Sequence, residues 1–198
     1  MKPRVAILIS GRGSNMVSLV KAAQAPEFPA EIVLVLSNKP EAAGLEIARG
    51  LGVEAMAVPA KPFGKDREAH ERAIDAQLRA RDVQIICLAG YMRLLTPWLV
   101  QRWAGRMLNI HPSLLPKFPG LDTHRRAIEA GEAEHGCTVH LVTEGMDEGP
   151  VLGQARVPVL PGDDEAALAA RVLEQEHRLY PAMLADLARK ISLPTKQG

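Results

Sequence analysis

An amide and an imidazole stand two positions apart at the end of an apolar run, as Asn109 and His111 in MLNIHPSLLPKFPG. The run is typical of a strand, in which residues i and i+2 point to the same face. Pro112, Pro116 and Pro119 follow and prevent the strand from continuing. An amide can donate a hydrogen bond to developing negative charge and an imidazole can transfer a proton, so the pair predicts a catalytic site.

A purely structural role for His111 is the competing interpretation of this pair.

Asp147 lies in the turn-rich stretch TEGMDEGP, where the simplest interpretation is that its side chain caps its own backbone. If Asp147 lies beside His111, its carboxylate would favour the protonated imidazolium form of the histidine. His140, on the preceding predicted strand, either faces the same space or packs against the sheet. Ser113 lacks the strand-turn-helix setting of a hydrolase nucleophile, so no covalent serine mechanism is expected.

The first loop of the chain, SGRGSN, has the composition of an anion-binding cradle. It follows an apolar run and precedes a predicted helix, so backbone amides beside Gly13, the side chains of Ser14 and Asn15, and the helix N-terminus can all face one anion. Met16 stands where a dinucleotide fingerprint requires its third glycine. A turn that serves only chain reversal is the alternative.

Two further sets of side chains are candidates for ligand contacts. Arg67 and Arg93 could hold a carboxylate, with ordinary surface charge as the alternative. An apolar slot near the strand ends could be lined by the following residues, for each of which core packing is the alternative: Leu88, Leu94, Leu95, Leu99, Val100 and Val142.

Buried strands alternate with helices along most of the chain, which predicts an α/β fold with a doubly wound, mostly parallel sheet flanked by helices. Ligands of such sheets bind at the carboxyl ends of the strands. The last strand is expected at the edge, because Pro158 and Pro161 cannot sit inside a ladder. The predicted strands are Val5–Ile9, Ile32–Leu36, Val53–Val58, Val83–Leu88, Met107–His111, Thr138–Val142 and Val151–Val159. The predicted helices are Asn15–Ala25, Glu41–Leu51, Lys65–Ala80, Pro97–Trp103, Thr123–Ala130 and Glu165–Arg189.

Bulk composition narrows the function classes. The 198 residues, 47% of them hydrophobic, predict one domain over 1–190 and a short polar tail over 191–198. A formal net charge of +1 gives no sign of a nucleic-acid or membrane partner. Cys87 and Cys137 lack metal-ligand spacing, so neither a metal nor a disulfide framework is expected. The apolar run near the N-terminus is too short for a signal peptide, so we expect a cytoplasmic protein, monomeric or homodimeric.

Several motifs together resemble one enzyme family over almost the whole chain. ILISGRGSN, LAGYMRLLTP, NIHPSLLPKFPG, DEGP and QEHRLYP are similar to the motifs of phosphoribosylglycinamide formyltransferases, a family of folate-dependent enzymes of purine synthesis. The resemblance implies a formyltransferase (Rossmann-like) fold with an outlying antiparallel strand. It also implies transfer of a formyl group from the co-substrate 10-formyltetrahydrofolate to the amino group of glycinamide ribonucleotide, without a metal.

The resemblance assigns roles residue by residue. It implies a catalytic trio of Asn109, His111 and Asp147. The implied ribonucleotide contacts are Gly13, Ser14 and Asn15 at the phosphate, with Leu173, Glu174, Gln175 and Glu176. The implied folate contacts are Arg67, Met92, Arg93, Leu94, Leu95, Asn109, Thr143, Glu144, Gly145, Met146 and Asp147. Arg12 stands where many relatives carry a small polar residue, and we expect it to add charge near the phosphate.

Three other functions are alternatives at this point. Hydrolysis of 10-formyltetrahydrofolate would use the same core with water in place of the amine, but such hydrolases usually carry an additional N-terminal domain. Transfer to initiator tRNA would need an extra C-terminal domain and a basic surface. A nucleotide-binding module without catalysis would keep the glycine loop yet have no use for Asn109, His111 and Asp147 together.

Overall fold

A computed structural model of the chain describes residues 1–192. Within this range seven strands form one sheet in the order β3-β2-β1-β4-β5-β6-β7, accompanied by six α-helices. The strands are β1 Arg4–Ile9, β2 Glu31–Ser37, β3 Ala55–Ala57, β4 Ile85–Leu88, β5 Met107–His111, β6 Glu134–Leu141 and β7 Val151–Pro158. The helices are α1 Ser14–Ala23, α2 Ala43–Gly50, α3 Arg67–Arg79, α4 Pro97–Arg102, α5 Thr123–Glu129 and α6 Glu165–Ser192.

The predicted α/β class and the mostly parallel sheet are confirmed. Strands β1 to β5 pair in parallel, whereas β6 is antiparallel to both β5 and β7. Strand β7 lies at the edge, as the proline at its end predicts.

Helices cover both faces of the sheet, and the interior strand β1 is therefore buried on both sides. In β1, Val5, Ile7 and Ile9 pack into a core with α1 and α6, whereas Ala6 and Leu8 pack into a second core with α3 and α4. Such continuous apolar strands are typical of sheets covered on both faces. None of the helices described between residues 1 and 192 is both long and apolar enough to cross a membrane.

Most predicted boundaries lie within two residues of the observed ones, and three differences are larger or of another kind. Strand β6 begins at Glu134, four residues before the predicted Thr138, because His135 and Gly136 also pair with β7. A 3₁₀ turn, Lys61–Phe63, occupies the predicted loop between β3 and α3. Helix α6 extends to Ser192, so the predicted tail does not begin at 191, and its remainder at 193–198 lies outside the described residues.

Candidate active site

A cavity of about 590 Å³ opens at the carboxyl ends of β4 and β5. This is the edge of an open parallel sheet at which ligands bind. The walls come from β4, β5 and β6, from the loops that follow these strands, and from one residue each of α3 and α4. They comprise Arg67, Leu88, Tyr91, Met92, Arg93, Leu94, Leu95, Val100, Asn109, His111, Gly120, Leu121, His140, Val142, Thr143, Glu144, Gly145, Met146 and Asp147.

His111 is fixed from two sides at the inner end of this cavity. Its Nε2 lies 2.9 Å from the carbonyl oxygen of Phe118, to which it donates, so the ring orientation is set by the proline-rich loop. Its Nδ1 lies 3.5 Å from Oδ2 of Asp147. Both side chains are at least 90% buried, so little water screens this pair.

The loop between β6 and β7 carries Asp147 to this position. Asp147 adopts a left-handed backbone conformation with φ of 55°, which aspartate tolerates better than most residues. Its Oδ2 accepts a hydrogen bond of 2.9 Å from the backbone amide of Gly120. One carboxylate therefore connects the loop after β6 with the loop after β5, and it faces His111 at their junction.

Asn109 is oriented by His140, which lies opposite it in the β5–β6 register. His140 Nδ1 donates to the carbonyl oxygen of Leu141 at 3.0 Å, and burial lowers the pKa of His140. The neutral ring therefore presents an unprotonated Nε2, and Asn109 Nδ2 lies 3.4 Å from it. An amide nitrogen carries two hydrogens, so the second hydrogen of Asn109 is free to point into the cavity.

The first loop forms a cradle at the end of β1. Gly13 takes a left-handed conformation with φ of 68°, and α1 begins at the next residue, Ser14. The first turn of α1 contains no acidic residue, so its free amides can face an anion. Ser14 is exposed and Gly13 is half-buried, which leaves this end of the helix accessible.

Helix α6 forms the other side of this cradle. Asn15 Nδ2 donates to Oε2 of Glu176 at 3.2 Å, and burial raises the pKa of the Glu176 carboxyl group. Oδ1 of Asn15 is buried and has no hydrogen-bond partner among residues 1–192. Leu173, Glu174 and Gln175 lie on the preceding turn of α6, half-buried, exposed and half-buried respectively.

Gly44, which was not among the residues predicted from the sequence, packs against the backbone of this cradle. Its amide donates to the carbonyl oxygen of Gly11 at 3.0 Å. A Cβ at Gly44 would lie 2.8 Å from that oxygen, 2.9 Å from the carbonyl oxygen of Arg12 and 2.4 Å from Ile9 Cδ1. The N-terminus of α2 therefore approaches the loop closely only because position 44 has no side chain.

All predicted folate contacts lie along the cavity, whereas one residue of the predicted apolar slot does not. Leu99 is fully buried in the core between the sheet, α3 and α4, so the core-packing alternative applies to it. Sequence reasoning missed Tyr91, Gly120 and Leu121 as wall residues. The glycine in KFPGLD was an available signal, because Gly120 has a positive φ of 79° and supplies an amide to the site.

A single hydroxyl group connects the cradle with the cavity. Ser10 Oγ donates to Oδ1 of Asn38 at 2.6 Å and accepts from the backbone amide of Met92 at 2.8 Å. Ser10 is the first residue after β1, and Met92 lies in the loop after β4. The two candidate binding regions are therefore hydrogen-bonded neighbours.

Comparison with known proteins agrees with this geometry. Residues 3–184 match the family model described as formyl transferase. The chain belongs to the formyl transferase family. This family member is 45% identical over 184 residues to phosphoribosylglycinamide formyltransferase of Escherichia coli (strain K12), covering 93% of this chain and 86% of the relative.

Two further proteins are similar to this formyl transferase family member. It is 50% identical over 203 residues to the trifunctional purine biosynthetic protein adenosine-3 of Drosophila pseudoobscura pseudoobscura, of whose length it spans 15%. The crystal structure of phosphoribosylglycinamide formyltransferase from Brucella melitensis superimposes with a TM-score of 0.91 at 58% identity, covering 95% of this chain and 96% of that one. The expected formyltransferase fold is thereby confirmed.

Proposed function

We propose that this chain transfers the formyl group of 10-formyltetrahydrofolate to the amino group of glycinamide ribonucleotide, in de novo purine biosynthesis. The observation that carries the proposal is the convergence of Asn109, His111 and Asp147 in one cavity beside a glycine-rich cradle. The names of the relatives, phosphoribosylglycinamide formyltransferase and trifunctional purine biosynthetic protein, support the same substrates.

In the proposed binding mode the two substrates approach the trio from opposite sides. The amides and side chains of 13–15 bind the ribonucleotide phosphate, and residues 173–176 of α6 contact the remainder of the ribonucleotide. The folate rings occupy the cavity, and Arg67 and Arg93 on its wall are suited to the carboxylates of the folate tail. The reacting amine and the formyl group then meet at Asn109.

In the proposed reaction the lone pair of the amine attacks the formyl carbon, and the carbonyl electron pair moves onto oxygen. The free hydrogen of Asn109 Nδ2 stabilises this oxyanion, and a protonated His111 adds its positive charge. The protonated His111 gives its proton to the folate nitrogen as the bond from that nitrogen to the formyl carbon breaks, and the proton lost by the amine returns to His111 through a water held by Asp147. Alternatively, that water carries the proton of the amine to the folate nitrogen directly, and His111 keeps its own proton throughout. The products are the formylated ribonucleotide and tetrahydrofolate.

One assay separates the candidate functions. The purified protein is mixed with 10-formyltetrahydrofolate, with and without glycinamide ribonucleotide, and folate absorbance is followed. We expect turnover that requires the ribonucleotide. Turnover without it would identify a hydrolase, and no turnover in either mixture would favour a non-catalytic binding module.

A further inference from the structure

Tyr180 places a hydroxyl group where a phenylalanine would serve packing equally well. It is fully buried, and its ring packs in the core between the sheet, α1 and α6. A buried hydroxyl group is unfavourable unless it is hydrogen-bonded. The Tyr180 hydroxyl lies 2.8 Å from the carbonyl oxygen of Leu88 and 3.1 Å from that of Leu108, and it donates to this pair.

The two carbonyl groups lie at the end of the β4–β5 ladder, Leu88 in its last pair and Leu108 in the pair before it. Leu88 is paired with Asn109, and no later pair joins these two strands among the described residues. The carbonyl group of Leu108 belongs to the same peptide plane as the amide of Asn109, so fixing its oxygen restricts the backbone on which the Asn109 side chain is mounted. The carbonyl group of Leu88 belongs to the plane that begins the loop carrying Met92.

The other contact that orients Asn109 is weak. Its Nδ2 lies 3.4 Å from His140 Nε2, which is beyond the usual range for an N–H donor. The direction of the amide therefore depends strongly on the backbone of β5. Burial raises the pKa of Tyr180 well above its usual range, so the hydroxyl group that supports this backbone keeps its proton.

We propose that Tyr180 is a positioning residue for the formyl transfer, whose hydroxyl group holds the backbone of Asn109 in register with the loop after β4. This inference rests on the proposed function. The hydroxyl group touches neither substrate, and its effect is to keep the oxyanion donor at a fixed distance from the bound folate. Misplacement of a catalytic group by about 1 Å can reduce a rate by up to roughly a hundredfold.

The helix that carries Tyr180 also contacts the phosphate cradle, and these contacts hold Tyr180 in position. Glu176 lies four positions earlier, on the same face of α6, and accepts from Asn15. Pro181 has no amide hydrogen to offer the carbonyl group of His177, and Ser18 Oγ of α1 donates to that oxygen instead, at 2.8 Å. Through α6, the cradle and the strand of Asn109 are held at a constant separation.

The test is Tyr180→Phe, which keeps the ring and removes the donor. We expect kcat to fall by roughly 5- to 30-fold while both KM values stay within about twofold, because binding groups are untouched and only the reacting geometry changes. The matched control is Leu187→Ala, two turns further along α6 in the same core. This change removes more packing than Tyr180→Phe, but it removes no hydrogen bond to β4 or β5. We therefore expect kcat within about twofold of that of the unchanged protein.

Hydrogen exchange at the Asn109 backbone amide gives a readout that does not need activity. We expect faster exchange at this amide, relative to the other amides of β5, in Tyr180→Phe and no such selective change in Leu187→Ala. Equal loss of kcat in both variants, or unchanged kcat and exchange in Tyr180→Phe, would overturn the inference. Absence of turnover in the unchanged protein would instead refute the proposed function, and the exchange measurement would then decide the positioning role alone.

Discussion

The proposed phosphate cradle and the proposed folate cavity are built in opposite ways. The cradle rests on buried groups, with Met16 fully buried behind it and Gly44 packed against its carbonyl groups. The rim of the cavity exposes large apolar side chains, since Met92, Leu94, Leu121 and Met146 are 58% to 73% exposed. An anion is bound by amides that are already in place, whereas a flat aromatic ring gains affinity by covering apolar surface. We therefore infer that the cradle is preformed, whereas the cavity is completed when its ligand covers the exposed apolar rim.

The largest effect is expected between the two regions, at His111. For His111→Ala we expect kcat to fall by about 10² to 10⁴, because the proton carrier and its charge are lost. Ribonucleotide affinity, measured by calorimetry, should be nearly unchanged, since the cradle does not include this residue. If affinity collapsed together with kcat, His111 would be a structural residue and the two regions would not be separable.

Gly44→Ala tests whether the cradle is rigid. The added Cβ meets two backbone oxygens and a buried methyl group that cannot move freely, so the loop must shift. We expect the KM for the ribonucleotide to rise by roughly 10- to 100-fold, with the KM for folate nearly unchanged. Gly50→Ala in the same helix is the control, because its Cβ would meet nothing within 4 Å. Equal kinetics of the two variants would contradict a rigid cradle.

His135 tests the stability of the loops on the cavity side. Its Nε2 lies 3.1 Å from Nδ1 of His124 on α5, and its ring is hydrogen-bonded to the backbone of Pro112, in the segment between β5 and α5 that supplies Gly120. Burial, with a smaller effect of His124, lowers the pKa of His135 from 6.5 to about 4. The folded state thus keeps His135 neutral, and this stability is present above pH 6.5 and is lost as pH falls towards 4.

The measurement is the free energy of unfolding by urea at pH 7 and pH 5. In the unchanged protein His135 should account for a loss of about 1–2 kcal/mol between these values, and His135→Asn should remove that part of the loss. Asparagine keeps a donor near the position of Nδ1, so the fold is retained. Identical pH dependence of the two proteins would show that His135 is not responsible.

The smallest effect is expected at the cavity rim. Met146→Ser removes apolar surface that is 58% exposed before binding, so we expect the folate KM to rise by roughly 3- to 10-fold with kcat unchanged. Leu160→Ser, at a position 47% exposed and away from the cavity, is the control. A folate KM that is equally insensitive to both changes would mean that the exposed rim does not close on the ligand.

The sequence predicted most of the fold because its strands are buried on both faces. Continuous apolar runs such as Val5–Ile9 and the alternation with helices leave few arrangements other than a parallel sheet. The beginning of β6 was not predictable in this way. His135 and Gly136 are residue types typical of turns. In the strand, His135 is hydrogen-bonded to the backbone of Pro112. Gly136 is required because a Cβ there would lie 1.9 Å from the carbonyl oxygen of Ala155.

The candidate site was predictable in its residue types but not in its assembly. Asn109 and His111 share a strand face by the geometry of any strand, so their proximity follows from spacing. The contact between Asp147 and the amide of Gly120 joins loops that are 27 residues apart, and no local pattern encodes it. The exposure of Leu121, like the burial of Leu99, depends on how distant elements pack, which periodicity alone does not determine.

The hydroxyl group of Ser10 also bears on how the two binding regions can change during evolution. It accepts from the backbone of residue 92 and not from a side chain, so position 92 can vary in any way except to proline without breaking the bond. Position 10, in contrast, must keep a hydroxyl group to serve both Asn38 and that amide. This hydrogen bond therefore places no requirement on the side chain at position 92, whereas it restricts the side chain at position 10. A saturation library at positions 10 and 92, selected for growth without purines, would show this asymmetry as a wider range of accepted residues at 92 than at 10, where serine or threonine is expected.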